Sequence, residues 1–438
     1  MQADSRELME IIDLWNYSDA AKAKIQEILA SETPAPPHLF RYYGPKPGKV
    51  RQAEALWAEM MGRKYALAVN SGTSALMAAL AALGVGPGME VLVPGYTFFA
   101  SASVVVASRA IPVICEVNDS LNIDPQDMLK KITPRTKAVI VVHMRGLGAD
   151  MAEIMAVAQE RNLWVIEDTA QAAGGTYQGT HLGSFGECGC YSFDAYKITQ
   201  SAEGGFVTTD DEFLNNRAQS WHDTAACWRP DRYAEERFAG ELFCGENYRM
   251  SELQGAMALV QMRKLPAYLA AMRRNKQLIR ERIELRPGLT LRRQPDPAGD
   301  TGIALIMFGP SPEGAQALAA KLNEKGIGAG GMWDQTVRDW HIYTNWEHVL
   351  EQKSVSADGC PWTCPLQGPL PQYSQDMCPQ TVDYMARSIH LGVAETWTEA
   401  ECLSMADRIN EAVVEVLGLS AGGAGGGGGS QADGEPGP

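Results

Sequence analysis

LAVNSGTSALMAALAAL, residues 67–83, reads as a β-strand feeding directly into an α-helix, and that junction sets the fold. Leu67–Asn70 is a short apolar run that ends in small polar residues. The Ala/Leu-rich stretch Ser74–Leu83 follows without a linker and reads as an amphipathic helix packed on a sheet. The alternation continues to about residue 210. Apolar runs at Val91–Pro94, Pro112–Val117, Ala138–His143, Trp164–Glu167, Gly189–Phe193 and Phe206–Thr209 are separated by amphipathic stretches such as Met151–Arg161. This pattern predicts an α/β fold whose large domain is a mainly parallel, seven-stranded sheet with helices on both faces.

Outward from that block, residues 1–40 read as a helical segment ending in the connector Thr33-Pro34-Ala35-Pro36-Pro37. Residues 41–265 are expected to form the large domain and 266–418 a smaller C-terminal α/β domain. Two helices are predicted around that border, Ser251–Lys264 with a serine cap and Met272–Glu284. The tail, residues 419–438, is rich in Gly, and from Ala421 to Pro438 it has nothing substantial to bury, so disorder is expected there.

With 438 residues, 45% of them hydrophobic, the chain can bury a substantial core. Its net charge of −15 would repel a phosphate backbone, so no nucleic-acid partner is expected. No run approaches the ~18–20 apolar residues of a membrane span, and no Lys/Arg-rich amphipathic stretch suggests surface attachment. The opening MQADSRELMEIIDLW lacks a basic segment followed by an apolar one, so cytoplasmic residence is the expectation. Nine cysteines are scattered without a framework spacing. Cys188/Cys190 and Cys360/Cys364 lack the second pair or nearby histidines that a zinc site uses, so no metal is expected and buried thiols are the reading.

Three elements carry chemistry. Asn70-Ser71-Gly72-Thr73-Ser74 lies where a helix begins, and unpaired amides with a positive dipole end suit a phosphate there. An ordinary N-cap uses the same residue types. Glu167-Asp168-Thr169-Ala170-Gln171 closes a strand at the end where open α/β sheets bind ligands, although a solvated turn has the same composition. Ser192-Phe193-Asp194-Ala195-Tyr196-Lys197 then precedes Glu203-Gly204-Gly205. A lysine there is a candidate nucleophile if its surroundings free the amine, and otherwise a surface charge. Their conjunction in this order on one sheet favours the chemical reading.

The chain resembles the DegT/DnrJ-type family of pyridoxal-phosphate (PLP) sugar aminotransferases, a fold type I group, from about residue 40 to 418. The motifs are NSGTSAL at 70–76, PGYTFFASAS at 94–103, VIEDTAQAAG at 165–174, YSFDAYK at 191–197, EGGFVTT at 203–209 and GENYRMSELQGA at 245–256. The resemblance implies pyridoxal 5'-phosphate as cofactor, cycling through pyridoxamine 5'-phosphate. It implies that Lys197 holds the cofactor as a Schiff base and shuttles the proton. Asp168 would hold the pyridine nitrogen, Gln171 the ring hydroxyl, and Gly72, Thr73 and Ser192 the phosphate. Phe98 would stack on the ring unless it is core, as aromatics in such runs often are. Asn247, in what reads as a surface turn, would reach the neighbouring subunit's phosphate, which implies a homodimer with shared sites.

The implied reaction moves an amino group from L-glutamate, or L-glutamine, to a keto sugar or related ketone. Relatives that dehydrate sugars replace the lysine with histidine, so dehydration is the alternative enzyme and a cofactor-binding regulator the alternative outside catalysis. His143 resembles a family histidine near the cofactor, and a satisfied core histidine is the competing reading; no catalytic step falls to it. Ala202 stands where the family usually has Gly, acceptable at negative φ and strained at positive φ. Phe40–Pro47 and Trp333–Trp346 depart from the family pattern and are candidate substrate-lining loops.

Overall fold

A computed structural model describes residues 4–32, 37, 39, 47–224, 226, 228–331 and 338–418. The Pro-rich connector except Pro37, the loop at 40–46, Trp333 with its neighbours to 337, and the Gly-rich tail lie outside the described residues.

Each predicted apolar run is a strand of one sheet. In chain order these are β1 (Tyr65–Val69), β2 (Glu90–Pro94), β3 (Ile111–Cys115), β4 (Thr136–Val142) and β5 (Trp164–Asp168). A small hairpin, β6 (Thr176–Tyr177) and β7 (Thr180–His181), precedes β8 (Cys188–Ser192) and β9 (Gly205–Thr209). The seven-stranded order is β1-β9-β8-β5-β4-β2-β3. Every neighbouring pair from β8 to β3 is parallel, while β9 runs antiparallel to both β1 and β8. Strands β2, β3, β8 and β9 are buried along their whole length, because helices cover both faces. That double burial is why the runs read as continuously apolar rather than alternating.

One covering helix, Lys49–Met61, inserts Trp57 edge-on against Tyr191 and Phe193, with ring centroids 5.0 and 5.1 Å apart. Trp57 is fully buried, and truncating it to Ala is expected to cost about 3–5 kcal/mol. The helix Gly72–Leu83 lies on the other face, buried at nine of its twelve residues.

The second sheet is β10 (Thr290–Leu291), β11 (Ala304–Phe308), β12 (Ala329–Gly330) and β13 (Ser388–Gly392), ordered β10-β11-β13-β12 and wholly antiparallel. The helices Pro312–Glu324 and Glu399–Leu417 pack with it around Leu305, Met307, Leu318, Leu322 and Ile409. The two helices expected near residue 265 are instead one, Glu252–Arg282, with Pro266 inside it. A proline removes one helical hydrogen bond and ordinarily ends or kinks a helix. Here Leu259, Met262, Leu265, Leu269 and Met272 are all buried in one cluster with Trp57 and Phe193. Burial on both sides of the proline outweighs the lost bond. The border read at 265/266 therefore falls within a continuous helix. Ser251 caps that helix as expected, with Gln254 completing a capping box.

Between Ile342 and Met385 the chain returns to the large sheet. Ile342, Tyr343, Trp346 and Trp362 join the cluster that holds Val91, Val93 and Ile140. The Thr97 amide bonds the His341 carbonyl at 2.9 Å, and Tyr96 bridges Ile342. This segment thus crosses the carboxyl ends of the large-sheet strands.

Candidate active site

Five strands deliver polar residues at one edge of the sheet. Asn70–Thr73 follow β1, Tyr96–Phe98 follow β2, His143–Arg145 follow β4, Asp168–Gln171 close and follow β5, and Ser192–Lys197 close and follow β8. In an open α/β sheet this edge is the ligand side, since the helices that follow present their N-termini to it.

Ser71 caps the helix Gly72–Leu83, its Oγ accepting the Ser74 N–H at 3.0 Å, while the Ala75 N–H bonds the Ser71 carbonyl. The amides of Gly72 and Thr73 have no acceptor among the described residues, and they lie at the positive end of the helix dipole. Gly72 is there for space. A Cβ on it would stand 2.7 Å from Ser192 Cβ, so only glycine lets the helix end approach the β8 hydroxyl. Two free amides, the exposed Thr73 and Ser192 form a cup suited to a phosphate.

Asp168 is buried, with 7% of its surface exposed. Its Oδ1 accepts the Ala170 N–H at 3.1 Å, and its Oδ2 accepts the Ser101 hydroxyl at 3.0 Å. Ser101 Oγ in turn lies 2.9 Å from Thr97 Oγ1. Burial pushes the Asp168 carboxyl above its ordinary range, against the opposing pull of the Ala170 and Ser101 hydrogen bonds and the Lys197 charge. Among the described residues no cation lies within ion-pair distance of it. A buried carboxylate in that state calls for a positive group from a ligand.

His143 and Glu167 hold this edge rigid. His143 Nδ1 accepts the Ala149 N–H at 3.2 Å, which leaves the ring proton on Nε2, 3.1 Å from Glu167 Oε2. Glu167 also accepts the Gly183 N–H on Oε2 at 2.7 Å, and those of Phe185 and Gly186 on Oε1 at 2.7 and 2.9 Å. Both side chains are fully buried and fully bonded. His143 is thus the satisfied core histidine. It touches the site through its main chain, whose N–H bonds the Asp168 carbonyl at 3.1 Å.

Lys197 sits on a loop clasped at its base: the Phe193 amide bonds the Gly204 carbonyl at 2.8 Å, and the Ser201 amide bonds the Phe193 carbonyl at 2.7 Å. Within the loop the Lys197 amide bonds the Asp194 carbonyl, and the Tyr196 amide bonds Asp194 Oδ1. Lys197 is half-buried, its charge is felt at Asp168, and its Nζ makes no hydrogen bond among the described residues. Ala202, in the same loop, has φ +66, the left-handed region, so the strained alternative holds.

Phe98 is 48% exposed, so it is not core; its ring centroid lies 5.3 Å from that of His341. His341 Nδ1 is 2.7 Å from Asp339 Oδ1, and its Nε2 is 3.4 Å from Gln171 Nε2. Gln171 Oε1 accepts the Arg145 main-chain N–H at 3.1 Å. Those two contacts fix which way the Gln171 amide faces. Asn247 is exposed, but in a bridged, extended segment rather than the expected turn. It bridges Asp223, while Arg249 bridges Val69 and the Asn70 amide bonds the Tyr248 carbonyl. The segment therefore adjoins the strand end that leads into the phosphate cup.

A cup for phosphate, a buried carboxylate lacking a cation, an unbonded lysine amine and an exposed aromatic face together fit a phosphorylated pyridine aldehyde. Sequence reasoning did not single out Ser101 or His341. Ser101 sits inside a quoted motif, and its four-residue spacing from Thr97 was the available signal; His341 lies inside the stretch Trp333–Trp346 already offered as a substrate-lining loop, but nothing in the sequence pointed to its pairing with Gln171, 170 residues away. Among the described residues no three His, Cys, Asp or Glu side chains cluster as a metal site, and no helix is long and apolar enough to cross a membrane. Cys188 and Cys190 are buried thiols on β8, and burial pushes Cys188 up to about 12.

The sequence model of the DegT/DnrJ/EryC1/StrS aminotransferase family matches residues 44–390. GDP-perosamine synthase from Caulobacter vibrioides is 41% identical over 228 residues, 50% of this chain and 58% of the relative. L-glutamine:2-deoxy-scyllo-inosose aminotransferase from Streptomyces kanamyceticus is 38% identical over 245 residues, 54% of this chain and 57% of that protein. The chain thus matches little more than half the length of these curated relatives. Over a longer span, the structure of an aminotransferase from Psychrobacter cryohalolentis superposes with a TM-score of 0.71 at 28% identity, covering 92% of this chain and 98% of that one.

Proposed function

The chain belongs to the DegT/DnrJ/EryC1/StrS aminotransferase family, and from that premise we propose that it transfers an amino group from an amino acid to a keto sugar or related cyclic ketone. L-Glutamate or L-glutamine is the donor and pyridoxal 5'-phosphate the cofactor. When bound, pyridoxal phosphate supplies an electron-withdrawing ring that stabilises negative charge on the donor carbon. The residues then divide the remaining work.

The Gly72 and Thr73 amides, with the Thr73 and Ser192 hydroxyls, hold the phosphate at the helix end. Asp168 keeps a proton on the pyridine nitrogen, and Ser101 keeps Asp168 aimed. Gln171 meets the ring hydroxyl with its free amide hydrogen, and Phe98 covers one ring face and excludes water. Lys197 Nζ would hold the cofactor covalently, and its freed amine would take the proton from the donor carbon and return it two atoms along, on the far side of the nitrogen. Asn247, exposed beside the strand end at Asn70, completes a second subunit's phosphate site, so the working unit is a homodimer. The large domain runs to about residue 265 and the small one from 266 to 418, joined by the helix Glu252–Arg282.

The observation that carries this reading is the buried Asp168, without a cation in ion-pair range among the described residues, on the same strand edge as Lys197 and the Gly72/Ser192 cup. Lys197 itself favours transfer over dehydration, because a lysine amine is the base that transfer needs. The test is a half-reaction. Holoprotein mixed with L-glutamate or L-glutamine should release the matching 2-oxo acid in stoichiometric amount and lose its visible cofactor absorbance, and a keto sugar should restore it. A regulator would do neither.

A further inference from the structure

Arg145 is a cation at this edge that the roles above leave unused. It follows β4 in the turn Met144–Gly146, with φ +50, in the left-handed region that a side chain rarely adopts. Gly146 fixes the turn, since a Cβ there would collide with the Thr301 side chain. The Arg145 amide is tied to Gln171, so the residue stands directly beside the expected cofactor ring.

Its guanidinium is poorly employed by the protein. Nε lies 3.5 Å from the Tyr96 hydroxyl, which is long for a hydrogen bond. No carboxylate reaches it within ion-pair distance among the described residues. Its two terminal nitrogens make no hydrogen bond there, and neither is sealed from solvent. Asp339 faces it at longer range but is engaged by the main chain and ring of His341. Behind it the surroundings are positive. Arg292 is buried and donates to the carbonyls of Ser120 and Met144. His390 is half-buried, and its imidazole is lowered well below its ordinary value, first by desolvation and then by the charges of Arg145 and Arg292. In a chain of net charge −15 this is a localised site for an anion.

We infer that Arg145 is the receptor for the carboxylate of the amino donor. Every amino-acid donor carries a carboxylate on the same carbon as its amine. The reacting centre must therefore accommodate one negative group within a few bonds of the cofactor, which a sugar ring does not bring. Two parallel N–H groups of a guanidinium match that group. The inference rests on the amino-transfer reading and adds the residue that selects the donor.

The experiment uses holoprotein of wild type, R145M, R145K and R145G, the last relaxing the left-handed backbone if R145M folds poorly. Donor and acceptor KM are measured separately, and glutarate, a dicarboxylate without the amine, is titrated by protein fluorescence. Loss of one charge-assisted pair predicts that R145M raises donor KM and weakens glutarate binding roughly 10- to 100-fold. R145K should fall between, and acceptor KM should stay within about twofold of wild type. Unchanged donor KM and glutarate affinity would overturn the assignment. Equal rises in donor and acceptor KM would overturn it too, by making the site one for an acceptor anion. If wild type transfers no amino group at all, it is the reading above that fails, and the glutarate titration still tests Arg145.

Discussion

Replacing Asp168 with Asn separates what this residue does for the cofactor from what it does for the fold. In the folded protein burial raises the Asp168 carboxyl above its ordinary value. The folded state therefore holds that proton more tightly than the unfolded chain. Stability from this group is intact below the unfolded pKa, declines as pH rises through the folded pKa, and is at its lowest above both. Near neutral pH, then, the ionised carboxylate is a cost to the cofactor-free protein. Asn keeps both hydrogen bonds: its Oδ1 accepts the Ala170 N–H, and its amide donates to a Ser101 hydroxyl that turns toward Thr97. Apo D168N should thus denature within about 1 kcal/mol of apo wild type, or later. The cofactor-bound enzyme behaves differently. Removing one partner of a buried charge pair costs about 3–5 kcal/mol, which as a barrier is a loss of roughly 10²- to 10⁴-fold in kcat/KM. Urea denaturation of the apo forms and stopped-flow measurement of the glutamate half-reaction give the two numbers. Half-reaction rates within tenfold of wild type, with normal folding, would remove Asp168 from its role.

Ala202 is expected to be a site of removable strain. With φ +66 it occupies a conformation that costs an L-residue about 1–2 kcal/mol, so A202G should raise stability by about 0.5–1 kcal/mol once the extra freedom of glycine in the unfolded chain is subtracted; an unchanged or lowered urea midpoint would contradict this. Glu167→Gln should be severe, because each Glu167 oxygen accepts two donors and an amide can serve only one of those pairs. Loss of two bonds to a charged acceptor predicts destabilisation of about 3–5 kcal/mol, and a midpoint shift under 1 kcal/mol would show that the network does little.

The sheet was legible because strands buried on both faces must be continuously apolar, and the site because its chemistry sits within a few residues of their carboxyl ends. Asp168, Ser192 and Lys197 follow from that rule. What escaped is non-local pairing, even within the stretch Trp333–Trp346 that was singled out. His341 reaches Gln171 from 170 residues away, and its segment touches the site only because Trp346 and Tyr343 are buried against β2. The continuity of Glu252–Arg282 through Pro266 was not legible, because the burial of Leu265 and Leu269 that outweighs the proline's local penalty is not visible in the sequence. The choice between a core histidine at 143 and one near the cofactor needed the Ala149 amide to fix its tautomer. The left-handed backbone at Ala202 and Arg145 is set by the loops around them, so composition alone could not assign it.

Covalent attachment at one lysine is the claim from which the rest descends. Borohydride reduction of the holoprotein, followed by proteolysis and mass spectrometry, reads it directly. A phosphopyridoxyl group on the peptide carrying Lys197, absent from K197A, is the predicted result. Stoichiometric label on a different lysine, or tightly bound cofactor with no label at all, would contradict the account.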